Sequence, residues 1–347
     1  MRIASVGRAL PENYYGQDRL RGALEKLWAG RFHNPRRLEQ IQRNTLVGGR
    51  HLALPIEEYE ALRGFGAANA AFIRCGLELG ERAIRDALAA AQIEARDVDA
   101  IFSLSVTGVA APSLDARLAN RLGLRSDVKR TPIFGLGCVG GAAGIARAAD
   151  YLRAFPRESA LVLSVELCSL TLQREDASMA NVIASGLFGD GAAAVVVRGA
   201  ETGARGPRIL ATRSILYPNT ESVMGWEVGD GGFRVVLSAD VPTIAGGLRP
   251  DVDKFLAEHG LALGDLDTFV CHPGGPKVLE AIEQSLALPA DALARSWEHL
   301  ARVGNLSSAS LLFVLGDALA EAHAPGSYGL LLAMGPGFCS ELVLLQW

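Results

Sequence analysis

Strand-length apolar runs separated by amphipathic stretches constrain this chain more than any other feature. Ile101–Val106, Ala160–Val165, Ala192–Val197, Thr268–His272, Tyr328–Ala333 and Glu341–Gln346 are apolar nearly throughout. That is the pattern of strands buried on both faces, not of half-solvated ones. Helical periodicity fills the intervals at Gly80–Ala91, Ser113–Leu122, Gly140–Ala154, Pro276–Leu286 and Ser307–Ala322. Strands alternating with helices predict an α/β fold. An earlier helical segment is expected around Leu20, Leu24 and Trp28, without any catalytic pattern.

The chain also echoes itself. Asp97-Val-Asp-Ala-Ile-Phe102 leads through a loop to a helix ending Asn120-Arg-Leu-Gly-Leu124; Asp265-Leu-Asp-Thr-Phe-Val270 leads to one ending Gln284-Ser-Leu-Ala-Leu288. Repetition of this kind predicts two related halves, 1–205 and 206–347, divided in the Gly/Pro-rich stretch Gly199–Pro207.

With 347 residues, 49% hydrophobic and 21% charged, the chain can bury a large core. A net charge of −4 gives no basic bias toward nucleic acid or anionic membranes. Neither a signal peptide nor a membrane span is expected, and five scattered cysteines without a CxxC pair point to no disulfide frame and no metal site. A reducing, cytoplasmic location is the simplest expectation.

Cys138 follows an apolar run and precedes a helix of small residues, in Phe134-Gly-Leu-Gly-Cys-Val-Gly-Gly141. A helix N-terminus there favours the thiolate, and the glycines leave room beside the sulfur. Cys75, Cys271 and Cys339 are read as structural. His272 closes a buried strand, where side chains face the ligand crevice of α/β proteins. Asn305 opens a helix in Gly304-Asn-Leu-Ser-Ser-Ala-Ser310, a position that also suits a plain N-cap. Together they make a nucleophile, a base and an amide donor, each at an element end.

GCVGG, CHPGGP and GNLSSAS, with LFGDGAAA and MGPG, resemble the type III, chalcone synthase-like polyketide synthases in order and spacing across nearly the whole chain. The resemblance implies the thiolase fold, a duplicated five-layered αβαβα arrangement. It implies that Cys138 carries the acyl chain, that His272 holds it as thiolate, and that His272 and Asn305 form the oxyanion hole for malonyl-CoA. Coenzyme A thioesters are then substrates, with no resident cofactor and no metal, and a homodimer is implied. Phe188 matches an aromatic gate, and Met334 lies in the loop Met334–Gly337, where Ala333 and Met334 replace the family's Gly and Phe. Ser307 falls among the substrate-binding positions. Arg43 matches one coenzyme-binding basic residue, while Gln40 and Val47 stand at two others; Lys277 and Arg50 are candidates to compensate.

Against plant aromatic-starter enzymes, Val235 replaces a second gating Phe, Ala111 a Met that reaches the partner subunit, and Cys168 a pocket Thr; Thr171 keeps the other Thr. These changes enlarge an apolar pocket, whereas Trp226 replaces a Gly and narrows it. With Met224–Gly229 and Gly108–Ser113, they resemble bacterial enzymes making alkylpyrones and alkylresorcinols from medium- or long-chain acyl-CoA starters. A ketoacyl-ACP synthase III, making one condensation, and a cysteine acyl-thioester hydrolase are the alternatives.

Overall fold

A computed structural model describes residues 1–29 and 35–347. The strands are β1 (Arg2–Ala9), β2 (Asn13–Gly16), β3 (Gly49–Leu52), β4 (Ala100–Ser105), β5 (Lys129–Phe134), β6 (Ser159–Leu167), β7 (Asp190–Arg198), β8 (Arg208–Leu216), β9 (Met224–Gly229), β10 (Gly232–Leu237), β11 (Leu266–Cys271), β12 (Tyr328–Gly335) and β13 (Cys339–Gln346). Among the described residues nine of them run in the order β5-β4-β6-β7-β1-β8-β13-β12-β11. The two sides meet at one register pair, Arg2 opposite Arg208.

Each side is built alike. β4 pairs parallel with β6, and β7 and β1 follow antiparallel. β11 pairs parallel with β12, and β13 and β8 follow antiparallel. The local signals match too. Asp97 and Asp265 each turn a carboxylate back onto the backbone N–H three residues earlier, Glu94 and Ala262, both at 2.8 Å. These caps open one helical turn that leads directly into β4 and β11. The following helices, Leu114–Leu122 and Pro276–Leu286, both stop at a left-handed residue, Gly123 and Ala287. The first side carries one strand more, β5, which forms an exposed edge.

Two helices fill the space between the sheets. Gly140–Ala154 touches β4 and β6 of one half and β12, β13 and β8 of the other, and Ser308–Leu319 touches β1, β7, β6 and β11. They also pack on each other, and glycine makes this possible: a Cβ on Gly141 would lie 2.4 Å from the Ser308 carbonyl oxygen. Helix Gly64–Ala91 covers the first sheet outside, and helices Arg249–Ala257 and Pro276–Leu286 lie in the outer core of the second half. The result is the thiolase fold, five layers of αβαβα.

Some elements differ from expectation. Helix Gly64–Ala91 starts sixteen residues before Gly80, because its Gly/Ala-rich first turns show little periodicity. β1 and β8 alternate buried with partly exposed residues, and β5 is exposed along most of its length, so none displays a continuous apolar run.

Candidate active site

Cys138 lies in the single 3₁₀ turn Gly137–Val139, directly before the central helix Gly140–Ala154. β5 delivers the chain, and Gly135 and Gly137 take positive φ values of 95° and 54° to turn it. At Gly137 any side chain would also meet Pro336, at 2.7 Å. Met334 and Gly335 belong to β12, not to a loop as expected, and Pro336, in the turn after it, backs the turn that carries the sulfur. Free N–H groups and the helix dipole at this position favour negative charge on Cys138.

Asn305 lies before the second central helix, Ser308–Leu319. Its backbone is stitched to the Phe188 turn: Asn305 N–H donates to the Leu187 carbonyl at 2.9 Å, and Gly189 N–H donates to the Asn305 carbonyl at 3.0 Å. Its side chain is fixed as well. Oδ1 accepts from Ser307 N–H at 2.7 Å, and Nδ2 donates to the Gly274 carbonyl at 3.2 Å. Ser307, held at φ 49°, places Oγ 3.8 Å from Cys138 Sγ. The thiol, the Ser307 hydroxyl and the Asn305 amide thus share one buried volume, and both partners favour the thiolate.

His272 follows β11, with its N–H on the Leu332 carbonyl at 2.9 Å, and the turn after it brings the Gly274 carbonyl to the Asn305 amide. It is 4% exposed, and neither ring nitrogen has a hydrogen-bond partner among the described residues. An imidazole buried without a protein partner is costly in a folded protein. Burial lowers its pKa to about 3 and raises that of the Cys138 thiol to about 12. Each group alone rests neutral at pH 7. A charged pair has to be won by mutual attraction and by the Ser307 and Asn305 donors against that desolvation.

A buried carboxylate lies beside the cluster. Glu166 accepts from Thr107 Oγ1 at 2.8 Å, Val106 N–H at 3.1 Å and the Ser308 hydroxyl, whose oxygen is 2.7 Å from that of Ser164. Burial raises its pKa to about 7. Sequence reasoning passed over it, although a lone charge inside the apolar run of β6 was a visible signal.

The substrate-wall positions divide. Cys168 and Thr171 share one turn, where Thr171 Oγ1 donates to the Cys168 carbonyl at 2.8 Å. Trp226 and Val235 face each other directly across the β9–β10 ribbon, so the large and the small residue occupy one face. Phe233 extends this face, with ring centroids 6.1 Å from Trp226, 5.3 Å from Phe65 and 6.0 Å from Phe134. Gln173 pins the ribbon by donating to the Phe233 carbonyl at 3.0 Å. The cleft between Phe65, Thr107, Thr171, Gln173 and Phe233 has a volume of about 10 Å³, room for about one water. Phe188 is partly buried against the second outer core, and Met334 is buried within it, apart from that cleft. Ala111 is exposed.

The coenzyme-binding candidates also divide. Arg43 is exposed, pairs with Glu39 at 2.8 Å, and lines a cleft of about 380 Å³ with Arg19, Arg21, Gln17 and Gln42. Lys277 is exposed at the start of its helix and is not among the residues lining that cleft. Arg50 corrects the sequence expectation. It is 3% exposed, and its Nη1 donates to the Ser185 and Phe188 carbonyls at 2.6 and 2.8 Å. Its guanidinium holds the Phe188 turn from behind and offers no phosphate a free face. Among the described residues no cluster of potential metal ligands occurs, and no helix is long and apolar enough to cross a membrane.

Comparison with known proteins gives this arrangement its family. Chalcone and stilbene synthases, N-terminal domain, matches residues 2–202, and the corresponding C-terminal domain matches 209–347. The chain is 53% identical to a 1,3,6,8-tetrahydroxynaphthalene synthase of Streptomyces peucetius subsp. caesius, over 99% of this chain and 93% of that one. It is 34% identical to an alpha-pyrone synthesis polyketide synthase-like protein of Mycobacterium tuberculosis, over 75% and 68%. The crystal structure of 1,3,6,8-tetrahydroxynaphthalene synthase from Streptomyces coelicolor A3(2) superposes with a TM-score of 0.95 at 33% identity, covering 100% of this chain and 99% of that one. This chain therefore belongs to the chalcone and stilbene synthase family, the type III polyketide synthases, which are acyl-transferring condensing enzymes that use coenzyme A thioesters as substrates.

Proposed function

We propose that this enzyme condenses malonyl-CoA, as starter and extender alike, into an aromatic polyketide of the tetrahydroxynaphthalene type. The observation that carries this reading is the 53% identity, over 99% of the chain, with a synthase of that product. A ten-carbon ring skeleton without an alkyl branch is five two-carbon units, so no fatty acyl starter is required.

In this reading the Cys138 thiol passes its proton to His272, and the thiolate attacks the thioester carbonyl of the starter. The C–S bond to coenzyme A breaks and the acyl group moves to Cys138. A second malonyl-CoA loses CO₂, leaving an enolate whose oxygen is held by hydrogen bonds from His272 and Asn305. Its carbon attacks the Cys138 thioester, the sulfur leaves, and the lengthened chain returns to coenzyme A for the next cycle. Arg43 and the surrounding cleft are proposed to meet the coenzyme phosphates, with Lys277 as a second contact, and Phe188 to stand where the pantetheine arm approaches the thiol.

A fatty acyl starter closing to an alkylpyrone or alkylresorcinol is the second reading. The small Ala111 and Val235, together with the mycobacterial relative, favour it. Mass spectrometry of products decides between them. Malonyl-CoA alone should give tetrahydroxynaphthalene, and Cys138→Ala should give no extension. Products that form only when a fatty acyl-CoA is added would overturn the first reading. We also propose a homodimer, joined along the exposed β5 edge, and a cytoplasmic location.

A further inference from the structure

A second buried histidine lies outside this chemistry. Helix Ala294–Val303 packs against β11, the strand before His272, and leads into the Asn305 turn, and its buried face carries Ser296, His299, Leu300 and Val303. Two of these are polar and both are anchored. Ser296 Oγ donates to the carbonyl of Cys271, the residue before His272, at 2.6 Å. His299 Nε2 lies 3.0 Å from Ser310 Oγ, and that oxygen accepts the Leu306 N–H at 2.7 Å. His299 is 3% exposed and Ser310 is fully buried.

The Ser310 hydroxyl accepts from Leu306 and can give its own proton to His299 Nε2 when the ring proton sits on Nδ1. Leu306 sits between Asn305 and Ser307, the two residues that flank the Cys138 sulfur. Its N–H is therefore fixed by a hydroxyl whose own orientation depends on a histidine one helix away. Burial lowers the His299 pKa to about 3, and the His272 ring and the nearby Arg302 and Arg8 add to the effect. The Phe313 ring, 5.5 Å distant, packs its side. A neutral acceptor is what the Ser310 proton needs.

We propose that His299 is a positioning residue: acting through Ser310 and the Leu306 N–H, it holds Asn305 and Ser307 in the geometry that stabilises the enolate and the thiolate. The inference rests on the roles given above to Asn305 and Cys138. A residue that only filled space could be replaced by any side chain of similar volume. One that sets the turn requires an acceptor facing Ser310.

The test compares His299→Leu, which removes the acceptor, with His299→Gln, which retains one. Release of CO₂ from malonyl-CoA gives kcat and KM, and mass-mapped alkylation of Cys138 by iodoacetamide gives a reading independent of turnover. His299→Leu is expected to lower kcat about tenfold or more with KM within about twofold, and to slow alkylation about threefold, because the donors that favour the thiolate shift. His299→Gln should recover most of both. Ser310→Ala, which removes the hydroxyl with little change in volume, should reproduce the leucine effect and serves if His299→Leu does not fold. Unchanged kcat and alkylation in the folded variants, or equal impairment by Leu and Gln, overturns the proposal. A parent enzyme that releases no CO₂ would instead refute the roles of Asn305 and His272, and the alkylation comparison would still decide the part played by His299.

Discussion

Charge at the single-residue level is set here mainly by burial, and its two signs oppose each other. Glu166 binds its proton more tightly folded than unfolded, with a pKa of about 7 against 4.5. The native state therefore holds the extra proton between those values, and stability falls as pH rises through that window, by roughly 3 kcal/mol at most. Asp190, raised to about 6, acts in the same direction. His272 and His299, lowered to about 3, act oppositely: they must charge on unfolding below pH 6.5, so their contribution is lost as pH falls toward 3. The difference between the parent and Glu166→Gln isolates the first effect. Urea denaturation from pH 4.5 to 8 should show the parent losing stability relative to the variant as pH rises, with the curves becoming parallel above about pH 8. Parallel curves throughout would show that Glu166 keeps an ordinary pKa.

At the level of elements, the site depends on how closely two helices approach. Cys138 and Asn305 precede the two central helices, and Gly141 lets those helices touch. Gly141→Ala forces a methyl group against the Ser308 carbonyl. It should cost about 1–3 kcal/mol, seen as a lower urea midpoint, and should reduce condensation by separating the thiol from the amide. An unchanged midpoint would show that the helices relax freely. These central helices were plain in the sequence, because long apolar stretches with small residues signal burial on all sides. The candidate residues Cys138, His272 and Asn305 stand out for a related reason, since each lies at an element boundary beside a recognisable run of glycines or serines. Arg50 does not, because residue type alone does not separate a surface cation from one whose guanidinium is used on backbone carbonyls. The His299–Ser310 contact was equally hidden, as it joins two helices whose packing only the fold supplies. β5 escaped notice because its edge position leaves it without an apolar signature.

For the whole molecule, that edge has a consequence for assembly. β5 ends the nine-stranded sheet among the described residues, with its outer backbone groups unpaired and Phe134 52% exposed. An open edge of this kind invites a second copy related by a two-fold axis. Light scattering at micromolar concentration should give twice the chain mass of 36.7 kDa, and Phe134→Lys should shift the species toward that of one chain. A single-chain mass for the parent would refute the proposed dimer. The duplication reaches further than symmetry. Under the proposed roles the sulfur comes from one repeat and both groups that answer it come from the other. Neither repeat alone carries that complement, so under those roles the chemistry exists only where the two repeats fold against each other.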